Sequence, residues 1–118
     1  MSIEHHIPAM SLDARLDVRV GDAVEFTFTV TNPTTERIEL SFRDGQTADV
    51  VVRSAGEVVW QWSHDRAFTA AARTETLAPG EEARRTMVWE DPEPGSYTVV
   101  GTFEARRTTA IARNSFEV

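Results

Sequence analysis

From Leu12 the chain alternates strictly: Leu12, Ala14, Leu16, Val18 and Val20 are apolar, while Asp13, Arg15, Asp17 and Arg19 between them are charged. This period of two predicts a strand with one buried and one solvated face. Gly21-Asp22 reads as a two-residue turn, after which Val24, Phe26, Phe28 and Val30 resume the pattern with Glu25, Thr27, Thr29 and Thr31 facing outward. The two runs are a hairpin candidate, although such neighbours in a sandwich also divide between sheets. Asn32-Pro33-Thr34-Thr35 is a turn cluster, because Pro fixes φ and Asn can bond its own backbone two residues on. Ile38, Leu40 and Phe42 begin a third alternation, which Asp44-Gly45 ends.

The Val-rich run from Asp49 to Arg53 predicts a fourth strand. Ala55-Gly56 turns it into a fifth, Glu57 to Trp62, in which Val58, Trp60 and Trp62 alternate with Val59 and Gln61. Ser63 to Thr76 is the one long stretch without clear alternation and reads as a connection, in which Ala70-Ala71-Ala72 could form a helical turn. After the Leu77-Ala78-Pro79-Gly80 turn, a polar strand runs from Glu82 to Trp89, with Thr86 and Val88 on one face and Ala83, Met87 and Trp89 on the other. Asp91-Pro92-Glu93-Pro94-Gly95 stops it. Tyr97, Val99, Gly101 and Phe103 mark the next strand, Arg106-Arg107-Thr108-Thr109 a turn, and Ala110 to Val118 the last strand.

One-faced strands need an opposing layer to cover them. The pattern therefore predicts an all-β, immunoglobulin-like antiparallel β-sandwich of about seven to eight strands, with a closed barrel as the alternative. Residues 12–118 read as one sandwich domain and residues 1–11 as a flexible N-terminal segment. A length of 118 residues suits a single core, and 41% hydrophobic with 26% charged residues argues against disorder and against a membrane span. The start of the chain lacks the basic end and apolar run of a signal peptide, so a cytoplasmic location is expected. Cys is absent, which excludes disulfides and thiolate metal sites.

Charge changes the picture further. The chain has 19 Asp and Glu against 12 basic residues, and every one of those is Arg. An acidic, Lys-free composition is what a salt-rich cytoplasm favours, because concentrated salt screens self-repulsion. A GC-rich genome would also explain the missing Lys, but not the net charge of −7. Nucleic-acid backbones are not expected as partners of such a surface.

No catalytic constellation is expected. Ser63-His64-Asp65 contains the residue types of a hydrolytic triad, but adjacent residues splay apart instead of converging. His5-His6 lacks further ligands for an ordered metal. Glu81-Glu82 and Glu90-Asp91 sit beside turns, as solvated carboxylates do, and the scattered glycines form no phosphate-cradling loop. No cofactor is expected. Trp60, Trp62, Trp89 and Tyr97 read first as core filling and second as an exposed binding patch; Phe68, in the irregular stretch, is open between the two.

Several pieces in order, Phe26 to Asn32, Leu40 to Gln46 with Asp49, Gly56-Glu-Val-Val-Trp60-Gln-Trp62-Ser63, Phe68, Leu77-Ala-Pro-Gly-Glu81, Trp89 and Gly95-Ser-Tyr97, resemble the intracellular proteinase inhibitor family of the BsuPI type. The resemblance implies an immunoglobulin-like sandwich and a non-enzymatic protein that inhibits an intracellular serine proteinase, a subtilisin-like protease being the partner to test. The matched residues themselves read as structural, and no inhibitory residue is carried over. For an inhibitor, the irregular stretch is the candidate protein-binding loop, with Arg66, Thr69 and Arg73 projecting and Phe68 anchoring it from beneath. The competing expectation is a structural or accessory sandwich that pairs a strand edge with a partner and has no protease target.

Overall fold

A computed structural model describes residues 10–64 and 66–118. Among them are eleven strands and no helix: β1 (Met10–Ser11), β2 (Asp13–Val20), β3 (Val24–Thr31), β4 (Ile38–Phe42), β5 (Ala48–Ser54), β6 (Glu57–Gln61), β7 (Arg73–Leu77), β8 (Glu82–Trp89), β9 (Ser96–Phe103), β10 (Thr108–Thr109) and β11 (Ile111–Glu117). Two antiparallel sheets form the layers, one in the order β11-β9-β5-β6 and the other β2-β3-β8. A β4-β7 pair and a short parallel β1-β10 pair complete the immunoglobulin-like sandwich.

The alternating residues meet where the pattern directs them. Leu16 pairs with Phe28 across the β2-β3 hairpin, and Phe26, Phe28 and Val30 are fully buried against Val50, Val52 and Val99 of the opposite sheet. The β2-β3 connection is three residues long, Gly21 to Ala23, because Val20 pairs directly with Val24. At the β5-β6 hairpin both Ala55 and Gly56 have positive φ, 51° and 84°, the backbone that a two-residue turn between right-twisted strands requires.

Rings join the layers. Trp60 of one sheet lies 5.7 Å from Trp89 of the other and 5.9 Å from Phe26, while Phe26 meets Phe116 edge-on at 5.6 Å. The sheets approach so closely at Gly101 that a Cβ there would lie 2.7 Å from the Phe28 ring. The Tyr97 hydroxyl donates to the Glu93 carbonyl at 2.6 Å, the four-residue reach-back of a tyrosine corner. On the side where β2 and β11 approach, the Asn114 side-chain amide donates to the Leu16 carbonyl at 2.9 Å.

Three sequence expectations are corrected. The irregular stretch is shorter than Ser63 to Thr76, since Arg73 already begins β7 and pairs with Phe42. Ala70-Ala71-Ala72 forms no helical turn. Thr108-Thr109 belongs to a strand, not a turn, and pairs with Met10-Ser11. Simple alternation also fails in β6: Val52 faces Trp60 but Arg53 faces Val58, so Val59 is an extra residue in a bulge. Val58 and Val59 are consequently both about half exposed, at 51% and 48%.

Candidate functional site

The segment from Ser63 to Ala72 leaves the edge of one sheet after β6 and reaches the β4-β7 pair. Its geometry starts from Asp49. This side chain is 5% exposed in a Val-rich strand, so its oxygens must be satisfied internally. Oδ1 accepts from the Val50 and Ser63 amides at 2.9 and 3.0 Å, and Oδ2 accepts from Gln61 Nε2 and Ser63 Oγ, both at 2.7 Å. The carboxylate thus fastens the first residue of the segment to β5.

A second tie lies further on, where the Gly45 amide donates to the Thr69 carbonyl at 2.9 Å. The approach is close at Gly45: a Cβ there would stand 2.5 Å from Thr69 Oγ1 and 3.1 Å from the Thr69 amide nitrogen, so the Thr69 hydroxyl would have to turn away to admit one. The third tie is aromatic. Phe68 is half-buried with its ring 5.7 Å from Trp62, and the Arg66 guanidinium lies 4.5 Å above the Trp62 ring while its Nε donates to the Trp62 carbonyl at 2.8 Å.

The structure therefore brings Arg66 and Phe68 together on Trp62 and places Thr69 against the Asp44-Gly45 turn. Arg73 is set apart in β7, where it bonds Glu75 at 2.9 Å. Glu75 also receives Arg85 at 2.8 Å, and Arg85 donates to Thr47 Oγ1, so β7 is tied to β8 through charge. Among the described residues, the exposed rim of the segment consists of His64, Arg66, Ala67 and Thr69 to Ala72. Beside it, a cleft of about 480 Å³ runs between the edges of β6 and β8, lined by Trp60, Trp62, His64, Arg66, Val88 and Glu90. Trp60 and Trp62 are partly buried against the core, so they serve both as filling and as one wall of this cleft.

Ser63 directs its hydroxyl to Asp49, and His64 is exposed in the turn closed by its amide on the Gln61 carbonyl. Asp65 and the His5-His6 pair lie outside the described residues. Among the described residues no three His, Cys, Asp or Glu side chains gather as a metal site, and no helix is long and apolar enough to cross a membrane. Sequence reasoning missed the role of Asp49 and Gly45. The available signal was an acid within an apolar run and a glycine without a strand partner.

Asn32 works in the same manner at the other end of the sandwich. It is 1% exposed, donates to the Glu36 and Leu77 carbonyls at 2.7 and 3.0 Å, and accepts from the Thr34 amide and hydroxyl. It thereby clasps the β3-β4 turn to the Leu77-Ala-Pro-Gly-Glu81 turn.

Comparison with known proteins matches a family model and several solved structures. A family model described as "BsuPI: Intracellular proteinase inhibitor" matches residues 12–108. Among solved structures, the chain is similar to the CARDB domain of a Pyrococcus furiosus protein solved in complex with di-metal ions. That likeness has 18% identity and a TM-score of 0.47, covering 100% of this chain and 94% of that one. No curated protein matches at the threshold applied.

Proposed function

Because the chain belongs to the intracellular proteinase inhibitor family, we propose that it acts without catalysis, by binding an intracellular subtilisin-like serine protease through the exposed rim of the Ser63 to Ala72 segment. The observation that supports this reading is the threefold tethering of that segment by Asp49, Gly45 and Trp62. A loop ordered before binding loses little conformational entropy when a protease cleft receives it. Arg66 and Thr69 lie on the presented rim and Phe68 beneath it. Arg73 flanks the rim from β7.

Titration of subtilisin-like intracellular proteases with the purified protein, in concentrated salt as well as in ordinary buffer, tests the reading. Residual proteolysis should fall linearly and vanish near equimolar inhibitor. Undiminished proteolysis in stoichiometric excess rejects inhibition. One observation favours the accessory-module reading instead: edge strand β6 exposes Val58 and Val59. A partner captured along that edge, and lost on Val58→Lys, would support it over inhibition.

A further inference from the structure

The outer face of the β11-β9-β5 sheet, turned away from the core, carries a second surface. The pairing registers place Val58, Arg53, Thr98 and Ser115 in one row across it, and Gln61, Val51, Val100 and Arg113 in the next. Two adjoining grooves of about 550 and 480 Å³ open on this face and share Arg53, Thr98 and Ser115 as lining; Arg113 and Val100 line the smaller. No residue of the Ser63 to Ala72 segment lines either groove.

Among the described residues, two free guanidiniums border these grooves. The protein as a whole is strongly acidic, at −7. Arg15, Arg73, Arg84 and Arg85 are held by carboxylates; of the arginines without an ion pair among the described residues, Arg53 and Arg113 are the two that line these grooves. Of the acids near the grooves, Asp49 is buried and filled by four donors, and Glu117 at the far end accepts from Ser96 at 3.4 Å. The surface between the two guanidiniums offers hydroxyls and the half-buried Val51 and Val100.

Spacing specifies the complement. Arg53 and Arg113 are two strands apart and offset by two residues, which puts their Cα atoms about 12 Å apart. An extended chain covers about 13 Å between residues i and i+4, whose side chains point to the same side as that of i+2. We propose that this face docks an extended acidic segment of a partner protein, with carboxylates four residues apart on Arg53 and Arg113 and an apolar side chain between them on Val100. The ion pairs are solvent-accessible, so they select and orient the segment more than they tighten it, and they weaken with salt.

The test is an NMR titration of the full chain with the blocked peptide acetyl-Ser-Glu-Thr-Val-Thr-Glu-Ser-amide and its double Gln counterpart. Shifts confined to Arg53, Thr98, Val100, Arg113 and Ser115, with the Gln peptide roughly tenfold weaker, are expected from the loss of two accessible ion pairs. The R53Q/R113Q variant, and R113Q alone at an exposed position of β11, should weaken the Glu peptide while leaving the remaining spectrum unchanged. Equal binding of both peptides, shifts centred elsewhere, or no saturation at millimolar peptide would overturn the proposal. So would concentration-dependent sedimentation without peptide that R53Q/R113Q abolishes, since it assigns the face to a second copy of the chain.

Discussion

Replacing Asp49 with Ala removes an acceptor that four donors share, and the structure sets the scale of the loss. The Val50 amide loses a partner in a buried setting and the Ser63 amide, fixed in the backbone, in a part-buried one, which costs on the order of 1 kcal/mol each or somewhat more. Gln61 and the Ser63 hydroxyl are only part-buried and can turn toward water, so each loses roughly 0.5 kcal/mol. The sum for Asp49→Ala is about 3 kcal/mol, a large share of the roughly 5–15 kcal/mol that stabilises a typical domain. Asp49→Asn keeps Oδ1 for the two amides, and the Ser63 hydroxyl can reverse to accept from the new amide; its loss should be nearer 1 kcal/mol. Urea denaturation measures both variants, and hydrogen exchange at the Ser63 amide reports the loop base directly. If Asp49→Ala loses under 1 kcal/mol and Ser63 protection is unchanged, the carboxylate is not what fastens the segment.

Three further substitutions test the packing. Gly101→Ala should destabilise by about 1–3 kcal/mol in urea, because the Phe28 ring must move to admit the methyl group; an unchanged midpoint would contradict that contact. Thr29→Val should raise stability by about 1 kcal/mol, since the Thr29 hydroxyl is buried without a hydrogen-bond partner among the described residues; a lower melting temperature would show that the hydroxyl is satisfied. Tyr97→Phe removes the bond to the Glu93 carbonyl and should lower stability by about 1 kcal/mol, with amide exchange quickening in the turn before β9.

Strands that face the core on one side and water on the other were legible in the chain. β2, β3 and β9 alternate because their two environments differ, and a slip of one residue would expose the apolar set. β7 was hidden for the converse reason. Arg-Thr-Glu-Thr-Leu has one apolar residue, and its place is set by backbone pairing with β4 and by Glu75 bonding Arg73 and Arg85. The Val59 bulge leaves no local signal because it answers to the register of β5. Of the proposed binding residues, the sequence marked the segment that holds Arg66, Phe68 and Thr69 by its irregularity. The ties at Asp49 and Gly45 join positions 14 and 24 residues apart, and period-two reading carries no information about such pairs.

The stacked rings that join the layers have a chemical consequence. In many immunoglobulin-type sandwiches a disulfide bolts the two sheets together, and the bolt depends on an oxidising environment. Here Trp60, Trp89, Phe26 and Phe116 span the same gap in a chain with no cysteine. The join needs no oxidant to form and no reductant can open it. Thiol reagents and changes of redox potential should leave the melting curve of this domain where it was.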